Sequence, residues 1–338
     1  MFKSRPKPDL KLVAPAQTTP DPARQSADAA RQSADAESVL RRLEWTVLRR
    51  LDGVLQGNYL TLFRGFGIDL ADVREYRFGD DARTIDWNAT ARLQVPHVRE
   101  FNEDREVTAW FLVDLSRSVD FGAGTTTKRT MAVSFVALIA RLLTRFGNRV
   151  GALLYTDRVE IVLPARAGRA HVLHLIDRLQ ATGKQPKRGQ ATRLGDLLER
   201  ALQVIKRRSL VVVVSDFISD PGWARALSIL GQRHDVLAVR LYDALEMELP
   251  DLGLVIMEDA ETGQQLFVDT HDAAFRSRFA QLAGERETQL RDALAIAGAD
   301  CIELATDDDL VQTLLRFARL RKRRAQLAGG GIRAELIE

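Results

Sequence analysis

From Glu106 onward the chain alternates short apolar runs with amphipathic stretches of helical length, a rhythm that few architectures satisfy. The runs are Val107 to Val113, Val150 to Tyr155, Leu210 to Val214, Val236 to Leu241 and Cys301 to Leu304. They are rich in β-branched residues and apolar at consecutive positions. A strand with one wet face alternates apolar and polar residues, so consecutive apolar positions require cover on both faces. Helical segments at roughly 128 to 146, 168 to 181, 194 to 207, 222 to 232 and 271 to 297 supply that cover. The expected fold class is therefore α/β, a doubly wound and mostly parallel sheet, with Val159 to Leu163 pairing antiparallel to its predecessor.

Four regions follow along the 338 residues. Residues 1–37 hold five of the ten prolines and a seven-residue duplication, Ala23 to Ala29 repeated as Ala30 to Ala36. With alanine as its only apolar content, this unit reads as a disordered tail, a short solvated helix being the alternative. Residues 38–104 form an N-terminal helix, started by Leu40, Leu43, Val47, Leu48 and Leu51, and a charged β-rich extension. Residues 105–306 carry the sheet domain. Residues 307–338 carry a C-terminal helix, opened by Asp307, Asp308 and Asp309, that ends in basic residues before Gly329.

Acidic and basic residues nearly cancel, 46 against 49, so the excess of positive charge is local. Arg316, Arg319, Arg321, Lys322, Arg323 and Arg324 lie within nine positions of one another. That run reads first as a solvated helix end or anchoring face, and second as a contact for nucleic acid, a membrane surface or an acidic partner. Nucleic-acid binding would rest on it alone and is not expected. No uncharged apolar stretch approaches the roughly 20 residues of a membrane span. Leu12-Val13 is too short for a secretory apolar region, and the single cysteine, Cys301, cannot pair within the chain. A cytoplasmic location is the simplest expectation, with peripheral membrane contact through the basic helix as a further option.

In an open parallel sheet, ligands gather at the carboxyl ends of strands where the winding reverses. Two such ends are polar: Asp114-Leu115-Ser116-Arg117-Ser118 follows the first run, and Ser215-Asp216-Phe217 follows the third. An aspartate with hydroxyls two and four positions later can turn three oxygens toward one point. Hard oxygen ligands with few carboxylates suit Mg²⁺. An isolated aspartate at a strand end is also a common helix cap, which is the plainer reading of each residue alone.

The arrangement resembles the von Willebrand factor A domain and its metal-ion-dependent adhesion site, whose pattern is Asp-x-Ser-x-Ser, a distant Thr and a later strand-end Asp. Asp114, Ser116 and Ser118 match the first element, Thr192 the second and Asp216 the third. The family often has glycine before that threonine, whereas Ala191 stands here. The resemblance implies that these five residues hold Mg²⁺, or Mn²⁺ or Ca²⁺ in the same site, with one position open to a partner's carboxylate.

Upstream, Gly65 to Asn102 is similar to the segment that precedes such a domain in the domain of unknown function 58 family. It is carried by Val73-Arg74-Glu75-Tyr76, Gly79-Asp80-Asp81, Arg83, Ile85-Asp86-Trp87 and Ala91-Arg92. Arg74, Asp80, Asp81, Arg83, Asp86 and Trp87 read as ion pairs pinning this element to the main domain or, alternatively, as a partner surface. The resemblance implies an accessory, non-enzymatic protein that works with a MoxR-type AAA+ ATPase in remodelling or maturing client proteins.

A metal-dependent hydrolase using Asp114 and Asp216 is the alternative, but no histidine is placed as its base. His171 and His174 share a helix face in another context. Gly122 to Lys128 approximates a phosphate-binding loop and fails in detail, because Thr127 replaces the glycine before the lysine and Arg129 the hydroxyl after it.

Overall fold

The computed structural model describes residues 34–44, 73–76, 85, 87, 90–91, 94–99, 108–183, 192–220, 222–258 and 265–329. Among these, six strands form the central sheet: β3 (Thr108–Asp114), β4 (Arg149–Tyr155), β5 (Val159–Arg166), β6 (Leu210–Ser215), β7 (Asp235–Tyr242) and β10 (Asp300–Ala305). Their order is β10-β7-β6-β3-β4-β5, parallel throughout except for the antiparallel edge β5. The α/β reading and the antiparallel edge both hold.

The first connections run from β3 outward to β4 and β5, after which the chain returns to place β6 on the other side of β3. The winding therefore reverses at β3. Its alternate residues face opposite layers: Phe111 and Val113 join one apolar cluster, Leu112 the other. The first layer holds α1 (residues 34–43), α2 (Lys128–Arg145), α3 (Arg169–Ala181) and α8 (Leu310–Gly329). The second holds α4 (Leu194–Val204), α5 (Trp223–Arg233) and α7 (Ala273–Ala297). The short α6 (Ala244–Met247) follows β7.

Two differences from the sequence reading have plain causes. Helix α1 begins at residue 34, inside the segment expected to be tail. Ala36, Leu40 and Leu43 are buried, and Glu37 and Glu44 pair with Arg169 on α3 and Arg141 on α2 at 2.8 and 2.6 Å. The helix is ordered by what it packs against, not by its own composition. The second difference is an unanticipated hairpin, β8 (Leu254–Glu258) with β9 (Gln265–Asp269), whose Ile256 and Phe267 sit opposite each other and are exposed.

At the C-terminus, α8 buries Leu310, Val311, Leu314, Leu315 and Ala318. Arg321 pairs with Asp300 on β10 at 3.0 Å, so this member of the basic run faces the body. Among the described residues, no helix is long and apolar enough to cross a membrane. In the upstream element, β1 (Val73–Glu75) pairs antiparallel with β2 (His97–Arg99), which places Arg74 opposite Val98. Trp87 is 71% exposed, and Asp80, Asp81, Arg83 and Asp86 lie outside the described residues.

His234 ends α5 with its ring buried and neither ring nitrogen hydrogen-bonded. Burial, and then the neighbouring Arg233, holds it below the usual histidine range, with Asp235 opposing. Because the folded value lies below the unfolded one near 6.5, its contribution is intact above about pH 6.5 and is lost as pH falls. Between pH 7 and 5 the unfolding midpoint of the wild type should therefore fall more than that of His234→Leu. Parallel thermal melts of the two proteins would refute this if the two curves stayed equally spaced.

Candidate metal centre at the strand ends

Asp114 closes β3 and is fully buried, yet both of its oxygens are occupied. Oδ1 accepts the Ser116 backbone N–H at 2.9 Å, and Oδ2 accepts the Ser215 hydroxyl at 2.8 Å. The first bond folds the chain into a tight turn that brings Ser116 and Ser118 together, their Oγ atoms 3.1 Å apart. Ser116 then leads into a short 3-10 helix, Arg117–Asp120. The second bond ties the ends of β3 and β6, the two strands at the winding reversal.

Beyond β6 the turn is built differently. Phe217 takes a left-handed conformation at φ 58°, uncommon for a bulky residue and strained by about 1–2 kcal/mol. That turn lets the Phe217 N–H donate to Ser215 Oγ at 2.9 Å and the Ile218 N–H to Asp216 Oδ1 at 3.0 Å. The Phe217 ring packs on Trp223 with centroids 5.3 Å apart, which holds the strained residue in place.

The Thr192 segment is hydrogen-bonded to this same turn. Its carbonyl accepts from Ser219 Oγ at 2.8 Å and from the Asp220 N–H at 3.0 Å. Tyr155, at the end of β4, accepts the Arg193 N–H on its phenol oxygen at 3.0 Å. Burial, with a smaller push from the Asp114 charge, raises that phenol to about 12, so it stays neutral. The ends of β3, β4 and β6 and the start of α4 thus converge, and Ser116, Ser118, Thr192 and Asp216 are each buried there. The ordered set from the sequence occupies one place in the fold.

Arg129 braces the same corner from α2. Its guanidinium donates to the Leu115 carbonyl at 2.9 Å and the Thr182 carbonyl at 3.0 Å, and pairs with Asp120. Gly183 fits against it at φ 78°, where a Cβ would lie 2.9 Å from the guanidinium.

The sequence marks Lys128 only as the end of an imperfect phosphate-loop pattern and does not reveal its place beside Asp216. It is fully buried, and its ammonium donates to Asp216 Oδ2 at 2.8 Å and to Glu246 Oε1 at 2.6 Å. Burial alone would lower its pKa, but the two carboxylates outweigh that and hold it above the usual lysine range. A cation in the first turn of a helix opposes the helix dipole, a local sign that Lys128 serves something else. Its commitment to two carboxylates also removes it from any phosphate-loop role. Glu246 Oε2 accepts the Asp243 N–H at 3.1 Å in a capping box. Asp243 in turn accepts from the Ala123 N–H at 3.0 Å and the Thr306 hydroxyl at 2.6 Å, so α6 joins the loop before α2 to the end of β10.

The donor set can be tested against a divalent ion. In an octahedron with bonds of 2.0–2.1 Å, adjacent ligand oxygens lie about 2.9 Å apart, close to the observed serine pair. Burial first, and the like charge of Asp216 second, push the Asp114 carboxyl up to about 6, and both penalties would be relieved by a cation. Among the described residues, no three His, Cys, Asp or Glu side chains converge, so this set is two carboxylates and three hydroxyls. The residues fit Mg²⁺ chemistry.

The sequence profile described as "Protein of unknown function DUF58" matches residues 72–289, well over half the chain. The chain belongs to the DUF58 family. This DUF58 protein is 38% identical over 294 residues to an uncharacterized protein of Mycobacterium tuberculosis, covering 86% of the present chain and 91% of the relative. It is 37% identical over 100 residues to an uncharacterized protein in the moxR 3' region of Paracoccus denitrificans, 29% of this chain and 94% of that one. The crystal structure of the conserved hypothetical protein BatB from Bacteroides thetaiotaomicron aligns with a TM-score of 0.42 at 11% identity, covering 66% of this chain and 99% of that one.

Proposed function

We propose that this DUF58 protein is a metal-dependent protein-interaction adaptor that works with a MoxR-type AAA+ ATPase on client proteins. One observation carries the reading. Two carboxylates from adjacent strand ends, Asp114 and Asp216, are buried with the paired Ser116 and Ser118 hydroxyls where the winding reverses. Asp114, Ser116, Ser118, Thr192 and Asp216 would hold Mg²⁺, or Mn²⁺ or Ca²⁺. When bound, the ion supplies a positive charge that an aspartate or glutamate of a partner can meet. A shell built largely from neutral hydroxyls leaves that charge under-neutralised, and Lys128 already offsets one of the two carboxylates.

The ATPase is suggested by the Paracoccus denitrificans relative, described by its place beside moxR. The adaptor reading is favoured over a hydrolase because His171 bonds the Val150 carbonyl at 2.7 Å and His234 precedes β7, both at the opposite, amino-terminal ends of the strands. The reading assigns no catalytic residue, and it places the protein in the cytoplasm with its partner.

Binding of the purified MoxR-type ATPase should be measured at constant Mg²⁺, since the ATPase needs the ion for its own nucleotide. Removing two metal-facing hydroxyls in Ser116→Ala/Ser118→Ala should weaken binding at least about tenfold, the loss of roughly 1.4 kcal/mol. Unchanged binding in a folded double variant would reject the metal-bridged contact.

A further inference from the structure

We propose that Lys128 is a tethered cation that competes with the divalent ion for Asp216 and so sets how tightly that ion is held. The proposal rests on the metal-dependent reading and adds its regulation. Asp216 Oδ1 already accepts the Ile218 N–H, and the ammonium holds Oδ2 at 2.8 Å. A divalent ion drawing on Asp216 therefore meets a resident positive charge on the same carboxylate.

Glu246 gives the ammonium a second seat. The Lys128 to Glu246 contact is 2.6 Å, and Glu246 is itself fixed through its other oxygen to the Asp243 N–H. Lys128 can thus release Asp216 and remain paired, which a buried ammonium requires because an unpaired one costs several kcal/mol. The formal charges of Asp114, Asp216, Glu246 and Lys128 sum to −2. Without the lysine this cluster would carry −3, so the resident ammonium removes one unit of the negative charge that an ion drawing on Asp216 would meet. Lys128 is also more than a static pin in its placement: it starts α2, whose first residues follow the loop held by Asp243 through Ala123, so the second seat lies on an element already tied to the site's rim.

The test is titration calorimetry with MnCl₂ on the full chain, using wild type, Lys128→Met, Lys128→Gln, Glu246→Gln and Asp114→Ala, each first shown by circular dichroism to be folded. Removing the resident charge in Lys128→Met or Lys128→Gln should tighten Mn²⁺ binding at least about tenfold. Glu246→Gln, which removes the second seat and leaves the ammonium on Asp216, should weaken it at least about threefold. Unchanged or weaker binding in a folded Lys128 variant overturns the proposal and leaves Lys128 a structural pin. If neither lysine variant folds, Glu246→Gln decides, and unchanged or tighter binding overturns it. Wild-type binding that is lost in Asp114→Ala while the lysine variants match wild type defeats this proposal alone. No binding in any protein defeats the metal reading with it.

Discussion

Asp114→Ala is expected to abolish the stabilisation that Mg²⁺ confers while leaving the apoprotein close to wild type in stability. The two halves have separate physical origins. Wild type should gain about 2.7 kcal/mol when Mg²⁺ is present at a hundred times its dissociation constant, because an ion that binds only the folded state shifts the equilibrium by mass action. Asp114 is central to the ion's seat: its carboxylate shapes the Ser116–Ser118 turn and joins it to the end of β6. Without that charge the gain should vanish.

The apoprotein, by contrast, loses and recovers in comparable measure. Two hydrogen bonds disappear, each worth about 0.5–1.5 kcal/mol, or somewhat more to a charged group. At the same time the variant no longer buries a carboxylate beside Asp216, the burden expressed in the rise of Asp114 to about 6. Because that folded value lies above the unfolded one, Asp114 favours the fold below about pH 4 and opposes it increasingly as pH rises through 6. Thermal melts with EDTA and with Mg²⁺ at pH 7.5 would check both halves. A retained Mg²⁺ shift in Asp114→Ala would place the ion elsewhere.

Phe111→Ala should do the reverse, removing about 3–5 kcal/mol of folding free energy while the folded fraction keeps its Mg²⁺ response. Phe111 is fully buried on β3, in register with Ala152 on β4 and Val212 on β6, and faces the layer built from α1, α2, α3 and α8. With close packing on every side the layer cannot collapse into the space, so the cavity penalty adds to the lost transfer energy. Urea unfolding followed by tryptophan fluorescence would measure it. A loss below about 1 kcal/mol would mean that the interface between β3 and the helices relaxes far more than its burial suggests.

The two substitutions also mark what the sequence made legible. Phe111 lies in a run of consecutive apolar residues, and runs of strand length rich in β-branched and aromatic residues point to strands covered on both faces. Asp114 and Asp216 were legible for a related reason: each is the first acidic residue after such a run, where a parallel sheet collects its ligands. The β8–β9 hairpin was hidden by the opposite circumstance. Leu254 and Phe267 are 73% and 69% exposed, so their apolar character does not report burial.

The ion-pair role of Lys128 was not legible because it is wholly tertiary. Its partners lie 88 and 118 residues away, and a single lysine at the head of a helix carries no pattern that distinguishes a buried ion pair from a solvated side chain. The head of α1 was obscured in a similar way. Ala36 is a weak apolar signal until the arginines of α2 and α3 are seen to meet Glu44 and Glu37. Local composition records a residue's own preference, whereas these placements are imposed by neighbours distant in the chain.

The account stands or falls on a divalent ion at the ends of β3 and β6. Anomalous scattering from crystals soaked in Mn²⁺ locates such an ion without reference to any activity. The predicted result is a single strong peak about 2.1 Å from the Oγ atoms of Ser116 and Ser118, beside Asp114 and Asp216. Manganese bound only at other sites, with Lys128 still seated on Asp216, would contradict it.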